Sequence, residues 1–233
     1  MAPRTRKSER RTDALSRQRI VETAVEILDK AGESGLTFRA LTERLVTGPG
    51  AIYWHVANKG ELLDAATDAV IAAALTTAPA KSPDSPENQI HTVALGLFDA
   101  IDQHPWLATQ LSIQLSRSPW GSVTPRIFES IGRQVRALGV PEGSWFTATS
   151  ALVHYILGAA GQNAANGRIP DPGVDRAEFL VAVSSAWEKL DPDEYPFTRA
   201  VAKQLRDHDD REQFLAGVDL VLAGITTVHP VRT

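Results

Sequence analysis

The chain has 233 residues, a formal net charge of −4 and a hydrophobic fraction of 43%, which is ordinary for a globular protein. It contains no cysteine, so disulfides, thiolate metal sites and a cysteine nucleophile are excluded. Its basic N-terminus lacks the apolar core of a signal peptide, and no run of roughly 18 apolar residues predicts a membrane-spanning helix. We therefore expect a cytoplasmic protein with no membrane partner.

The charge is unevenly distributed along the chain. Residues 1–59 contain 11 Lys and Arg against 7 Asp and Glu, a balance of +4, so the remaining 174 residues carry −8. A basic N-terminal part on an acidic body is typical of a DNA-binding head. Residues 1–15 have no apolar periodicity and are predicted to be a disordered basic tail. Such a tail either reaches a minor groove or only aids solubility, and the sequence leaves both alternatives open.

Three short helices are predicted in the N-terminal part. The first begins after Ser16 and is expected to end at Gly32, where the helical spacing of apolar residues stops. Thr37 is predicted to cap the second helix. Pro49 occupies the first position of the third, where its missing N–H costs nothing.

The rest of the chain is also helical in its periodicity. A capping-box-like sequence, Asn58 to Glu61, opens a fourth helix, whose predicted apolar face is Leu62, Ala66, Ala69, Val70 and Ala73. After a Pro- and Ser-rich stretch at 78–86, the predicted helices are 87–103, 106–116, 124–138, 143–165, 175–189, 196–206 and 210–228. Strand alternation is absent. We predict an all-α protein with a helix-turn-helix domain (16–60) and a larger helical domain (61–233).

The end of the third predicted helix carries the most informative chemistry. Tyr53, Trp54, His55 and Lys59 present hydroxyl, indole, imidazole and ammonium donors, and phosphate oxygens accept such hydrogen bonds. Contacts of this kind fix a helix in the major groove of duplex DNA. Two adjacent rings cannot both face inward, so we expect one to pack and one to reach phosphate. Lys59 has the simpler alternative of being an ordinary surface cation.

These residues resemble the tetracycline-repressor (TetR) family of transcriptional regulators. The likeness rests on Leu36-Thr37-x-Arg39, then Leu45, then Ala51-Ile52-Tyr53-Trp54-His55-Val56-x-Asn58-Lys59-x-Glu61-Leu62-Leu63. A weaker likeness joins Tyr195-Pro196 to the segment from Phe214 to Gly224. The resemblance implies three DNA-reading helices, a connecting fourth helix, and a helical domain for ligand binding and dimerisation. The implied partners are a double-stranded DNA operator, a small-molecule effector and a second copy of the chain.

The resemblance also implies which residues contact DNA. Thr37 and Arg39 match contact positions of the second helix, and Tyr53, Trp54, His55 and Lys59 match backbone-contact positions. Gly48, Pro49 and Ala51 match positions that approach base edges. The family's usual Leu-Gly-Val-Ser-like turn is replaced by Leu45-Val46-Thr47-Gly48, and none of the side chains that follow donates a bidentate hydrogen bond to a base. Specificity is therefore expected from Arg39, Thr47, thymine-methyl contacts and DNA shape.

The larger domain is expected to hold an effector pocket, because small-molecule sites form inside helical bundles. The candidates are polar and aromatic residues within apolar stripes: His104, Trp106, Gln110, Gln114, Phe128, Trp145, Thr149 and Asn163. The alternative for each is a packing residue of the core. No cofactor or metal is expected; the branch prototype binds its drug with a divalent cation, but no residue here matches those ligands.

Dimerisation is predicted through the helices at 143–165 and 210–228. The first carries small residues that allow close helix approach: Gly158, Ala159, Ala160, Gly161, Ala164 and Ala165. The second carries a broad apolar face: Phe214, Gly217, Val218, Val221, Leu222 and Ile225. The alternative is that both faces pack inside one protomer.

No catalytic motif in the sequence indicates an enzyme. The sequence lacks G-x-G-x-x-G, P-loop, H-E-x-x-H and G-x-S-x-G patterns, and its six histidines are scattered. We expect a ligand-released repressor that binds a palindromic operator as a dimer. The alternatives are a small-molecule-binding helical enzyme and a DNA-binding protein without an effector.

Overall fold

The computed structural model describes residues 15–76, 85–166, 175–206 and 208–230, and within these ranges it is helical and contains no strand. The predicted all-α class is confirmed. The predicted basic tail lies, except for Leu15, outside the described residues. The α helices are α1 (Arg17–Gly35), α2 (Phe38–Leu45), α3 (Pro49–Tyr53), α4 (Lys59–Thr76), α5 (Pro86–Gln103), α6 (Trp106–Arg117), α7 (Val123–Ala137), α8 (Trp145–Asn166), α9 (Arg176–Glu188), α10 (Pro196–Val201) and α11 (Asp210–Val228). Short 3-10 helices span Glu142–Ser144 and Ala202–Leu205.

The chain divides into two compact units that meet inside α4, between Val70 and Ile71. We call residues 1–70 the head and residues 71–233 the body. The limits predicted from the sequence, 16–60 and 61–233, remain predictions. None of the helices in the described ranges combines the length and the apolar character that crossing a bilayer requires.

Local capping chemistry sets the helix starts in the head. The Ser16 hydroxyl accepts the Arg19 N–H at 3.2 Å, and the Thr37 hydroxyl accepts the Ala40 N–H at 3.1 Å. Pro49 is the first residue of α3. These three predicted starts are confirmed. The first N–H groups of a helix have no partner within it; Ser16 and Thr37 each accept one of them, and Pro49 has no N–H to leave unpaired.

The predicted stop at Gly32 coincides with a break in the helical geometry of α1. Gly32 has φ +64°, a left-handed conformation, but the chain resumes helical geometry and α1 ends at Gly35. Glycine adopts this conformation without the steric cost that a Cβ imposes. The break is therefore a kink within the helix rather than its end.

The core of the head is formed by all four of its helices. Its fully buried apolar side chains include Ile20, Leu28, Leu36, Leu41, Ile52, Val56 and Leu62. On the surface, the Arg44 guanidinium donates to Glu26 Oε2 through Nε at 3.1 Å and Nη2 at 2.9 Å, which joins α2 to α1. This packing fixes the orientation of α3 against α2.

Val46, the residue that follows α2, is held in a strained backbone conformation. Its φ of +50° and ψ of +52° are left-handed, and its side chain is 90% exposed. A left-handed conformation costs an L-residue about 1–2 kcal/mol, and β-branched residues are outliers there.

We expect Val46→Gly to raise the unfolding free energy of the head by about 1 kcal/mol, because glycine relieves the strain and the exposed side chain contributes little packing. Hydrogen exchange of amides in α1–α3, measured on the full chain, gives this free energy. Val46→Ala keeps a Cβ and should gain less than half as much. Equal gains for both variants would show that the strain is absent.

The fourth helix starts as the capping pattern predicts. The Asn58 side-chain carbonyl accepts the Glu61 N–H at 2.9 Å, and Glu61 Oε2 accepts the Ala57 N–H at 2.8 Å. Glu61 Oε1 also accepts from Arg17 Nη2 at 3.4 Å. One carboxylate therefore holds the turn after α3, the start of α4 and the start of α1 together.

Glu61 should make the unfolding free energy of the head depend on pH in the acidic range. The hydrogen bond from the Ala57 N–H, helped by Arg17, lowers the pKa of Glu61 in the folded state. A lowered pKa stabilises the fold above the ordinary carboxylate pKa of about 4.3, and this stabilisation is lost as pH falls through the lower folded-state pKa. We expect Glu61→Gln to flatten the dependence of the head's unfolding free energy on pH below this point. Urea titrations at several pH values measure it, and unchanged pH dependence would contradict the assignment.

The predicted apolar face of α4 is partly wrong. Leu62 and Ala66 are buried, but Ala69 and Ala73 are exposed and Val70 is half-buried. The buried positions include Leu63, Thr67 and Ile71 instead. In a helix rich in alanine, burying the larger aliphatic side chains removes more apolar surface from water, and they set the buried face.

In the body, α8 is the central helix and packs against α5, α6, α7 and α11. Its buried side chains include Leu152, Val153 and Ile156. Four members of the predicted α11 dimer face are buried within the protomer: Phe214, Val218, Leu222 and Ile225. Phe214 packs on Phe98 of α5 with ring centroids 4.6 Å apart. For these four, and for the buried Ala160 and Ala164 of α8, intramolecular packing is the correct alternative.

Candidate DNA-binding surface and effector cavity

The turn between α2 and α3 presents an almost uncharged tip. Gly48, Pro49 and Gly50 are exposed, Thr47 and Ala51 are half-buried, and the Thr47 N–H donates to the Thr42 carbonyl at 3.1 Å. The five-residue helix α3 brings no polar side chain forward before Tyr53. Apart from the Thr47 hydroxyl, this tip therefore offers shape and apolar contact rather than hydrogen bonds to base edges.

Two polar side chains flank that tip on α2. Thr37 is exposed, but its hydroxyl already accepts the Ala40 N–H as the cap. Arg39 has an 88% exposed side chain, and its Nε donates to Glu43 Oε1 at 2.8 Å. Hydrogen bonding to Glu43 raises the pKa of Arg39 further, so the guanidinium stays charged. Exposed pairs of this kind contribute little stability, and a phosphate can replace the carboxylate.

The adjacent rings at the end of α3 differ in their surroundings. The Tyr53 ring stacks on Phe38 with centroids 4.5 Å apart and remains 53% exposed, whereas Trp54 is 89% exposed. One ring thus packs and the other projects, as expected from their adjacency. The stacking partner Phe38 was not identified from the sequence, although aromatic residues at the start of one helix and the end of the next were a usable signal.

His55 and Lys59 are both half-buried. The His55 N–H closes the turn on the Ile52 carbonyl at 2.9 Å. The Lys59 ammonium donates to the Glu33 carbonyl at 2.6 Å, next to the kink at Gly32. Lys59 therefore stabilises the end of α1 in the structure, and a phosphate contact would have to share or replace that bond.

The body contains a cavity of about 760 Å³, partly open to solvent and lined by α5, α6, α7 and α8. Its apolar lining includes Ile101, Leu111, Leu115, Phe128, Phe146 and Leu157, and its polar lining is Ser112, Ser116, Thr124, Ser150 and His154. The volume lies in the range of sites that bind drug-sized molecules. Phe128 and Phe146 stack with centroids 6.0 Å apart, which gives one wall a pair of rings.

Among the eight effector candidates, only Phe128 lines this cavity. Trp106, Gln110, Gln114 and Thr149 are buried elsewhere in the body, and His104 contacts the Trp106 ring. The Trp145 indole donates to the Val140 carbonyl at 2.6 Å and faces the Arg136 guanidinium. Asn163 is half-buried and does not line the cavity. The effector-binding role of the other seven residues stays a prediction, beside the alternative that they pack in the core.

The lining residues missed from the sequence share a simple pattern. On α6 they recur as Ala108, Leu111, Ser112, Leu115 and Ser116, and on α8 as Phe146, Ser150, His154, Leu157 and Gly158. Both sets follow the three- and four-residue spacing of one helix face. Small hydroxyls and aliphatic residues at that spacing were the available signal. The described residues contain no group of His, Asp or Glu able to hold a metal ion.

Comparison with known proteins places this geometry in a family. A model described as "Bacterial regulatory proteins, tetR family" matches residues 20–66, and one described as "Tetracyclin repressor-like, C-terminal domain" matches residues 78–229. An HTH-type transcriptional regulator of Saccharopolyspora erythraea is 30% identical over 67% of this chain, which spans 64% of that relative, slightly less than two thirds. The transcriptional repressor DrrR1 of Streptomyces coeruleorubidus is 28% identical over 94% of this chain and 80% of its own length.

A solved structure supports the same assignment. The transcriptional regulator SCO7222, a TetR from Streptomyces coelicolor, is 69% identical and superposes with a TM-score of 0.85 over 92% of this chain and 99% of its own. Each matched region falls within one of the two units of the structure, and these relatives are transcriptional regulators. The chain therefore belongs to the TetR family of DNA-binding transcriptional regulators.

Proposed function

We propose that the chain is a repressor that binds a palindromic operator as a homodimer and leaves it when a small molecule fills the cavity of the body. The observation that carries the DNA-binding half is the end of α3, where Trp54 is 89% exposed and follows the half-exposed Tyr53. The exposed Arg39 is the neighbour in sequence of Phe38, on which Tyr53 stacks. An indole, a phenol and a guanidinium exposed on adjoining helices are suited to neighbouring phosphates.

The proposed contact set keeps every residue predicted from the sequence. Tyr53, Trp54, His55, Lys59, Thr37 and Arg39 would hold the sugar–phosphate backbone, while Thr47, Gly48, Pro49 and Ala51 approach the base edges. With apolar side chains at the tip, thymine methyls and groove shape would carry specificity. Operator binding places the protein on the nucleoid in the cytoplasm, and it requires no catalytic step.

The dimer is proposed to form through the faces of α8 and α11 that the protomer leaves open. Leu220 and Val228 of α11 are 76% and 71% exposed, and Gly158 and Ala165 of α8 are exposed small residues. Twofold symmetry would place two copies of α3 about 34–36 Å apart, or a multiple of that, in successive major grooves. A ligand would release DNA by favouring a conformation with a different spacing, to the extent of its differential affinity for the two states.

We expect Trp54→Ala to weaken binding to the native promoter by at least tenfold, about 1.4 kcal/mol, because a projecting indole loses its phosphate or sugar contact. Its unfolding free energy should change by no more than about 0.5 kcal/mol, since the side chain packs little. Genome-wide mapping of bound DNA supplies the promoter, and fluorescence anisotropy measures the affinity.

Trp120→Ala is the matched control, because Trp120 is also 83% exposed but lies in the body between α6 and α7. It should leave promoter affinity unchanged. If Trp54→Ala binds the promoter as tightly as the unmodified protein, the DNA-binding surface has been assigned to the wrong edge.

A further inference from the structure

Among the described residues, the lining of the cavity contains no carboxylate, ammonium or guanidinium group. Its polar groups are the hydroxyls of Ser112, Ser116, Thr124 and Ser150 and the imidazole of His154. An ionised ligand group buried there would lose water without gaining an opposite charge from any of the four hydroxyls, which is unfavourable. The lining therefore selects against ions.

Thr124 adds a second, independent observation. Its hydroxyl oxygen is buried and has no hydrogen-bond partner among the described residues. A buried hydroxyl left without a partner is destabilising, and such groups are uncommon in folded proteins. Because Thr124 also lines the cavity, a bound molecule is the available source of a partner.

We propose, on the basis of the effector-released repressor described above, that the effector is an uncharged, ring-containing molecule that hydrogen-bonds to Thr124. The stacked pair Phe128–Phe146 supplies a wall suited to flat rings. The aliphatic residues opposite supply the apolar burial, and the serine hydroxyls accommodate neutral polar substituents. Sulfonates, phosphates and carboxylates are disfavoured, because no lysine or arginine lines the cavity among the described residues.

Two probes with the same rings test the charge rule. N-phenyl-1-naphthylamine is neutral, and 1-anilinonaphthalene-8-sulfonate differs from it by one sulfonate. With the full chain and without DNA, fluorescence titration should give at least about tenfold tighter binding of the neutral probe, a factor equal to about 1.4 kcal/mol. Equal affinities, or tighter binding of the sulfonate, would overturn the inference.

Ser112→Arg locates the effect in the cavity. Ser112 is an exposed lining residue of α6, so an arginine there offers the sulfonate a partner without disturbing the core. The affinity for the sulfonated probe should rise about tenfold, with little change for the neutral probe. Ile113→Arg is the matched control, since Ile113 is the next residue, is exposed and lies outside the lining. An equal gain from both variants would show binding outside the cavity and would contradict the inference.

Thr124→Val tests the anchoring hydroxyl. The neutral probe should bind several-fold more weakly, because its N–H loses its acceptor, while the melting temperature of the ligand-free protein should stay the same or rise, because the hydroxyl has no protein partner. Unchanged probe affinity with a lower melting temperature would assign the hydroxyl to the fold instead. If the sulfonated probe prefers the cavity, the charge rule fails and the sensor role survives. If neither probe binds the cavity, both the charge rule and the sensor role fall, and only the DNA-binding head remains.

Discussion

Gly217→Ala should destabilise the body by about 1–3 kcal/mol, the range for overpacking a close-packed core. Gly217 lies in α11 directly against Tyr155 of α8, and a methyl group there would overlap both the hydroxyl and the ring. The ring cannot simply turn aside, because it stacks on Phe214 and its hydroxyl donates to the Phe214 carbonyl at 3.1 Å. Urea unfolding followed by circular dichroism measures the loss.

Gly132→Ala is the control for this substitution. Gly132 is also inside a helix of the body, but its added methyl would meet Thr149 at an ordinary 3.5 Å. It should be neutral or stabilising, by up to about 1 kcal/mol from helix propensity. In a Tyr155→Leu background the cost of Gly217→Ala should shrink, since the overlapping atoms are gone. An undiminished cost in that background would show that the overlap with Tyr155 is not the cause.

Gly96→Ala is the second substitution with a large expected effect. Its added methyl would lie 2.6 Å from the Ala74 carbonyl oxygen, where α5 crosses the last turns of α4. A backbone carbonyl cannot rotate away as a side chain does, so one helix must shift. We expect a loss of about 1–3 kcal/mol in the stability of the body, measured by the same urea titration.

The effect of Gly96→Ala should also be localised to the end of α4. The amides of residues 71–76 should exchange faster with solvent, because their helix loses its packing on α5. Gly132→Ala should leave them unchanged. If Gly96→Ala lowers stability without faster exchange in residues 71–76, the contact with Ala74 is not what the substitution disturbs.

Local chemistry made the head the most predictable part of the molecule. Ser16, Thr37 and Pro49 each deal with the unpaired N–H groups at the start of a helix. This depends only on residues within one turn, so the sequence identifies them directly. The last helix, predicted as 210–228, is observed as Asp210–Val228. Its Asp209 side chain accepts the Glu212 N–H at 2.7 Å, a cap of the same local kind.

Properties set by distant contacts were less predictable. The buried face of α4 depends on which of its side chains reach the core, and its many alanines do not indicate this from the sequence. The predicted Ala69 and Ala73 are exposed. The cavity is a gap left between four helices, so its lining follows from helix orientations that periodicity does not contain. Trp106, Gln110 and Gln114 were chosen for their chemistry, and they are buried but lie outside the lining of this cavity.

The tip formed by Gly48, Pro49 and Gly50 has a consequence for the set of promoters that the regulator would control. A surface with no donor or acceptor side chain there gains little from one particular base pair over another. Substitutions that keep the local width and stiffness of the duplex would then be tolerated, and those that widen it would not. The promoters would resemble one another in DNA conformation more than in base sequence. An alignment of them would show a weak consensus sequence within half-sites of regular spacing.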